Sequence, residues 1–250
     1  MRDRPYVTLS CAMSIDGYLD SAAPRRLAMS NPADLDRVDR VRSEHDAIMV
    51  GASTVRRDNP RLLVRSEQRR LRRVAAGLPA SPTKVTVTSR GELPPDASFF
   101  IAGEVEKLVY TPQAKARRLA GRLGVAATVI GLGERVTMRG VLDDLVSRRA
   151  VQRLMVEGGG NLLTQFLADD LADELQLVVA PFFVGEARAP RVVGPATFPW
   201  TASRRAVLAG SRQIGDVMLL RYALSDRFDG FERGEQAEPA LGAAVASDYR

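Results

Sequence analysis

Two stretches of this chain group residues that could do chemistry. In "RLMVEGGGNLL" (153–163) an apolar run meets Glu157, then Gly158, Gly159 and Gly160, and then Asn161 and Leu162, where a helical pattern begins. Glycines between a strand and a helix let backbone N–H groups approach a ligand unobstructed. The helix N-terminus adds unpaired donors and a partial positive charge. Such a junction suits an anion of the pyrophosphate kind. The run is neither GxGxxG nor a Walker A sequence, and a tight turn needing positive φ explains it equally well. Glu157 would be a poor phosphate ligand. A carboxylate there suits a donor-rich substrate or a cationic centre, or else it caps a neighbouring loop. The second stretch, "GASTVRRDNPRLLVR" (51–65), offers the hydroxyls of Ser53 and Thr54, arginines at 56, 57, 61 and 65, and an Asp58-Asn59-Pro60 turn. Arginines beside such a loop can clamp phosphate bidentately. A basic surface loop is the plainer alternative.

The elements around these stretches alternate. "YVTLSCAM" (6–13) reads as a strand that turns at Asp16-Gly17. "NPADLDRVDRVRSEHD" (31–46) reads as a helix, with Asn31 as cap, Pro32 at its first position, and a narrow apolar stripe of Leu35, Val38 and Val41. "AIMVG" (47–51) has the wholly apolar character of a strand buried on both faces. Further strands are expected at 84–89, 107–111, 125–130, 153–157, 173–185 and 216–224. Helices are expected at 111–124, with Thr111 as cap, and at 137–150 and 161–171. This alternation predicts an α/β fold of three layers (αβα) with a mainly parallel sheet. Parallel sheets place ligands outside the carboxyl ends of their strands, and Glu157 and Gly51 stand at two such ends. The main body should span 1–224, and a polar tail follows over 225–250.

The 250 residues are 45% hydrophobic, enough for one substantial core. No apolar run nears the ~20 residues that span a bilayer, and the N-terminus has no signal-peptide pattern, so a cytoplasmic enzyme without membrane contact is expected. One cysteine, Cys11, and one histidine, His45, argue against a disulfide framework and a multi-ligand zinc site. The net charge of +6 favours anionic partners. Much of the arginine sits in "RSEQRRLRRVAAG" (65–77), read as a solvated connection. A nucleic-acid patch is the competing reading, but it lacks aromatics and any recognised binding motif.

Three stretches together resemble a known family: "RPYVTLSCAMSIDGYLD", "RVRSEHDAIMVGASTVRRDNPRLLVR" and "VEGGGNLLTQFLADDLADELQLVVAPFFVGEARAP". In this order and spacing, over residues 4 to 224, they are similar to the pyrimidine reductases of riboflavin biosynthesis. These belong to the dihydrofolate-reductase-like superfamily, which implies antiparallel strands at the C-terminal end of the sheet. The resemblance implies an NADPH-dependent reductase that converts the ribosyl group of a phosphoribosylamino-pyrimidine to ribityl, by hydride transfer to a C1′ imine. It implies cofactor contacts at Ala12, Thr54, Asp58, Ser89 and the run Gly159 to Gln165, with Arg90 available for a 2′-phosphate and Gly158 opening the run. Substrate contacts fall on Arg42, Leu62, Arg65 and Glu157. Arg42 and Arg65 would hold the 5′-phosphate, and Glu157 would face the pyrimidine or the developing positive charge. Asp16 is a weaker catalytic candidate that shapes a loop.

The chain departs from the family at Ser10, where relatives carry lysine or asparagine, at Thr88, and at Arg26, near the place of a substrate-binding serine. A folate or secondary-metabolite substrate on the same fold is therefore the alternative. The resemblance also implies a homodimer, with "LVVAPFFVG" and the last strand as interface, and no partner nucleic acid.

Overall fold

The short apolar runs become strands of one sheet in the computed structural model, which describes residues 4–230. The strands are β1 (Tyr6–Ser14), β2 (Ala47–Gly51), β3 (Thr83–Val87), β4 (Lys107–Thr111), β5 (Thr128–Gly131), β6 (Arg153–Val156), β7 (Glu174–Ala180), β8 (Val207–Ile214) and β9 (Val217–Ala223). Their order across the sheet is β5-β4-β3-β2-β6-β1-β7-β9-β8. Strands β1 to β7 pair in parallel, and β9 runs antiparallel to both β7 and β8.

The helices are α1 (Pro32–Ser43), α2 (Ala52–Asp58), α3 (Glu67–Ala75), α4 (Ser98–Ile101), α5 (Gln113–Leu123), α6 (Met138–Arg149) and α7 (Gly160–Ala168). Side chains of a strand alternate between faces, so β2 feeds two cores. Ala47 and Met49 join Val7, Leu9, Leu154 and Val156 against α6 and α7. Ile48 and Val50 join Met155 and Val109 on the face covered by α1, α4 and α5. The result is the expected three-layer arrangement.

Several local expectations are corrected. "RSEQRRLRRVAAG" is not a loose connection: it folds as α3, capped by the Ser66 hydroxyl. Three of its arginines, Arg69, Arg70 and Arg73, are engaged within the molecule. Arg69 pairs with Asp36 and Asp39, and Arg73 donates to the carbonyls of Pro79, Ser43 and His45. Thr111 ends β4 rather than capping α5, and Pro112 takes the cap position. The strand β8 was not foreseen, because most of it is exposed and it shows no apolar alternation. On α1 Val41 enters the core and Val38 packs against it partly buried. Leu35 is 38% exposed. The charged Asp34, Arg37 and Asp39 are buried instead.

Ser225 and Arg227, at the start of the expected tail, bond to Asp173 and to the carbonyls of Arg4 and Pro5. The tail from 231 on lies outside the described residues. Among the described residues no helix is long and apolar enough to cross a membrane.

The single histidine ties α1 to β1. His45 Nδ1 lies 2.7 Å from the Val41 carbonyl oxygen, so Nδ1 carries the proton and Nε2 accepts from the Thr8 hydroxyl at 3.0 Å. Burial pushes the ring pKa down to about 4, although the Val41 hydrogen bond opposes the shift. The unfolded chain titrates near ~6.5. Between these values the unfolded state binds one more proton, so stability falls as pH drops from 6.5 toward 4, by on the order of 3 kcal/mol in all. A proton NMR titration of the lone imidazole should give a midpoint near 4 in the folded protein; a midpoint near 6.5 contradicts a buried, neutral His45.

Candidate active site

The strand order sets the position of the site. From β2 the chain winds outward through β3, β4 and β5, then returns to place β6 between β2 and β1. Connections leave in opposite directions at this switch, and a crevice opens above the carboxyl ends of the strands there. A cleft of about 790 Å³ occupies it. Its floor comes from Ser10, Cys11 and Ala12 of β1 and Val50 of β2. Its walls come from α1, α2, the 19–30 loop, the start of α7 and residues 190–195.

Glu157 is held here twice. Its backbone N–H continues the ladder to β2 by donating to the Met49 carbonyl at 3.0 Å. Strand alternation turns its side chain, like that of Met155, toward α1. There Arg42 forks onto it: Nε to Oε1 and Nη2 to Oε2, both at 2.6 Å. Arg42 Nη1 donates to the Leu63 carbonyl at 3.3 Å. Each side chain is only 13% exposed. Burial opposes the Arg42 charge, but the Glu157 carboxylate outweighs it and raises the guanidinium pKa.

The three glycines serve different needs. Gly158 adopts φ +101°, a region that side chains avoid, and its carbonyl accepts from Gly51 N–H at 3.1 Å. The Gly158–Gly159 peptide bond is cis. Gly159 donates to Thr54 Oγ1 at 3.0 Å, which ties α2 to α7. At Gly160 a Cβ would collide with the carbonyl oxygen of Arg191, so this glycine admits a neighbouring chain segment. The N–H groups of Gly160 and Asn161 open α7 and have no intrahelical acceptor.

The opposite wall is a strapped loop. Asp20 Oδ1 accepts from the N–H groups of Ser21 and Leu27 at 2.9 and 2.8 Å. Arg57 of α2 reaches Asp20 Oδ2 at 3.2 Å and the Ser21 carbonyl at 2.7 Å. Arg26 stands 3.4 Å from Asp58. Burial raises the Asp58 carboxyl above its usual range against the pull of Arg26. Below, the Asp39 carboxylate accepts from the N–H groups of Arg65 and Ser66. That leaves the exposed Arg65 side chain on the cleft wall. Leu62 lines the cleft with φ +48°, an unusual backbone for leucine. Burial pushes the Cys11 thiol up to about 12, so it stays protonated.

Of the residues expected from sequence, the structure gathers Ala12, Arg42, Thr54, Asp58, Leu62, Arg65, Glu157, Gly159, Gly160 and Asn161 around this one cleft. Others lie apart. Leu162 is 4% exposed and packs in the core; it is the helical residue that turns inward from the glycine junction. Gly158 sits behind the lining as the turn itself. Ser89 and Arg90 are exposed beyond the end of β3, outside the lining. The Asp16 carboxylate accepts from the Ser14 hydroxyl at 2.6 Å and from the N–H groups of Val184 and Gly185 at 3.0 and 2.7 Å. These bonds outweigh a burial cost and lower its pKa. Asp16 lies outside the lining and holds two turns together. Sequence reasoning missed Asp20, Asp34, Arg37 and Arg191, which all line the cleft. Only the i,i+3 spacing of Asp34 and Arg37 was visible as a signal.

A mainly parallel α/β sheet whose strand ends carry an arginine–carboxylate fork and a glycine-opened helix has the layout of a ligand-binding cleft, and comparison with known proteins specifies it. The RibD C-terminal domain family matches residues 5–220, and the chain belongs to that family. A 2,5-diamino-6-ribosylamino-4(3H)-pyrimidinone 5′-phosphate reductase of Archaeoglobus fulgidus is 35% identical over 195 residues, covering 78% of this chain and 89% of the relative. The reductase of the same name from Methanothermobacter thermautotrophicus is 32% identical over 222 residues, covering 88% and 99%. Acinetobacter baumannii RibD superposes with a TM-score of 0.72 at 26% identity, over 88% of this chain and 58% of that one. The fold is thus the dihydrofolate-reductase-like arrangement of the RibD reductase domains, and the chain is a pyrimidine reductase of the riboflavin pathway type.

Proposed function

We propose that the cleft reduces the ribosyl group of a phosphoribosylamino-pyrimidine to ribityl, with NADPH as reductant. The observation that carries this reading is the Arg42–Glu157 fork beside the N–H groups that open α7. It puts a held carboxylate and an anion site in one cleft. The residues present fit a dinucleotide. The N–H groups of Gly160 and Asn161 suit its pyrophosphate, and a Cβ at Gly159 would meet only the Thr54 hydroxyl, at 3.4 Å. Arg90, past the end of β3, is the candidate for the 2′-phosphate. When bound, the reduced nicotinamide supplies a hydride.

The chain's own residues do the rest. Arg42 is already engaged with Glu157 and Leu63, so we assign the substrate 5′-phosphate to Arg65, which the Asp39 hydrogen bonds hold at the wall. Opening the sugar gives a C=N bond at C1′. As the nitrogen takes a proton from water, positive charge spreads over that bond, and Glu157 stabilises it. Hydride addition to C1′ and the nitrogen-bound proton leave the secondary amine of the ribitylamino product. Arg42 keeps Glu157 aimed.

We also infer a homodimer. The edge strand β8 exposes Val207 and Leu208, at 65% and 53%, and Phe183 is 71% exposed after β7. Sedimentation should give twice the chain mass of 27.2 kDa; the single-chain mass contradicts this.

For the activity, purified protein is mixed with NADPH and the phosphoribosylamino-pyrimidine, and loss of the reduced nicotinamide is followed. Turnover is expected, with none on dihydrofolate. Arg65→Ala should raise KM for the substrate by at least ~tenfold while leaving that for NADPH unchanged. Oxidation of NADPH by dihydrofolate alone would overturn the substrate assignment.

A further inference from the structure

The first turn of α1 carries a buried carboxylate that the proposed chemistry does not use. Asp34 is fixed by the Asn31 side chain, which accepts its N–H at 2.9 Å. Its Oδ1 accepts from Arg37 Nε at 2.7 Å, and Arg37 Nη1 donates to Gln176 Oε1 at 2.7 Å. Gln176 donates in turn to Glu174, which also takes Arg221 and the Tyr6 hydroxyl. This polar chain runs from the start of β7 to the cleft and stops there. Asp34 and Arg37 are 0% and 4% exposed, yet both line the cleft. Asp34 Oδ2 is buried and has no hydrogen-bond partner among the described residues. A buried carboxylate oxygen without a donor is costly, and native structures rarely leave one. Asp34 borders the cleft, so a ligand seated there is the nearest source of a donor once it packs against this residue.

Position along the helix says which part of a ligand that is. Asp34 precedes Arg42 by two helical turns, about 12 Å along the axis. On the reading of the cleft as a ribosylamino-pyrimidine reductase, phosphate and reacting carbon lie at Arg65 and Glu157, toward the other end of α1. The heterocycle then extends toward Asp34. A 2,5-diaminopyrimidinone presents an amino group on ring carbon 2, a donor. The 5-aminouracil ring presents a carbonyl oxygen there, an acceptor that would face the carboxylate.

We propose that Asp34 selects the ring: its unpaired oxygen accepts from the 2-amino group, and it rejects the uracil form. Arg37 and Gln176 position it.

The test compares kcat/KM for the two phosphoribosylamino rings in wild type and Asp34→Asn, with NADPH as reductant. The wild type should prefer the diaminated ring by at least ~tenfold, because a site built to hydrogen-bond a group rejects the analogue lacking it. Asp34→Asn exchanges an acceptor for a donor, so the ratio should move at least ~tenfold toward the uracil ring, with KM for NADPH unchanged. Since Asp34→Asn removes a charge beside Arg37 and could fail to fold, the wild-type ratio decides by itself. Equal turnover of both rings by the wild type overturns the assignment and leaves the reductase reading intact. So does a folded variant with an unchanged ratio. Turnover of neither ring overturns both.

Discussion

The site depends on one buried ion pair. Arg42 and Glu157 lie 115 positions apart and meet in a two-pronged contact with little water. Each would be expensive to bury alone, because removing one partner leaves an unpaired charge. Together they join the last turn of α1 to the end of β6, and the backbone of Glu157 joins that end to β2. The glycine junction, the start of α7 and the 62–65 segment are hung on this corner. A carboxylate held through both oxygens cannot swing, which is what stabilising a transient positive charge requires.

Around that corner the molecule uses polar groups as struts where a smaller protein would use apolar contacts. Asp39 gathers Arg65, Ser66 and Arg69. Asp20 gathers the 20–27 loop and Arg57. Asp16 fastens the first turn to the one after β7. Each carboxylate organises backbone N–H groups that no sheet or helix would satisfy, so the loops at the strand ends become fixed walls. The basic character of the chain follows in part: arginines answer these carboxylates and local carbonyls, and α3 shows that a dense arginine run can be structural.

Much of this was legible in the residues. "AIMVG" and "VEGGG" announce a buried strand and a strand-to-helix junction, and their chemistry is local. The cap of α1 at Asn31 was equally plain. What sequence hides is partnership at a distance. Arg69 of α3 looks solvated until Asp36 and Asp39 are seen beside it. Asp34 looks like the polar face of an amphipathic helix, while its apolar neighbour Leu35 lines the cleft instead of the core. Leu162 follows the glycines in sequence but turns inward with the helical period. Strand β8 has an exposed pattern without alternation, so only its pairing with β9 defines it.

The most direct test of the central claim is a double-mutant cycle on Arg42→Gln and Glu157→Gln, read as unfolding free energy from denaturant titrations. Each single change should cost about 3 kcal/mol, and the pair together far less than the sum, giving a coupling of at least ~1.5 kcal/mol. Small, additive costs agreeing within ~0.5 kcal/mol would show that the two side chains act independently, and that the cleft does not rest on their contact.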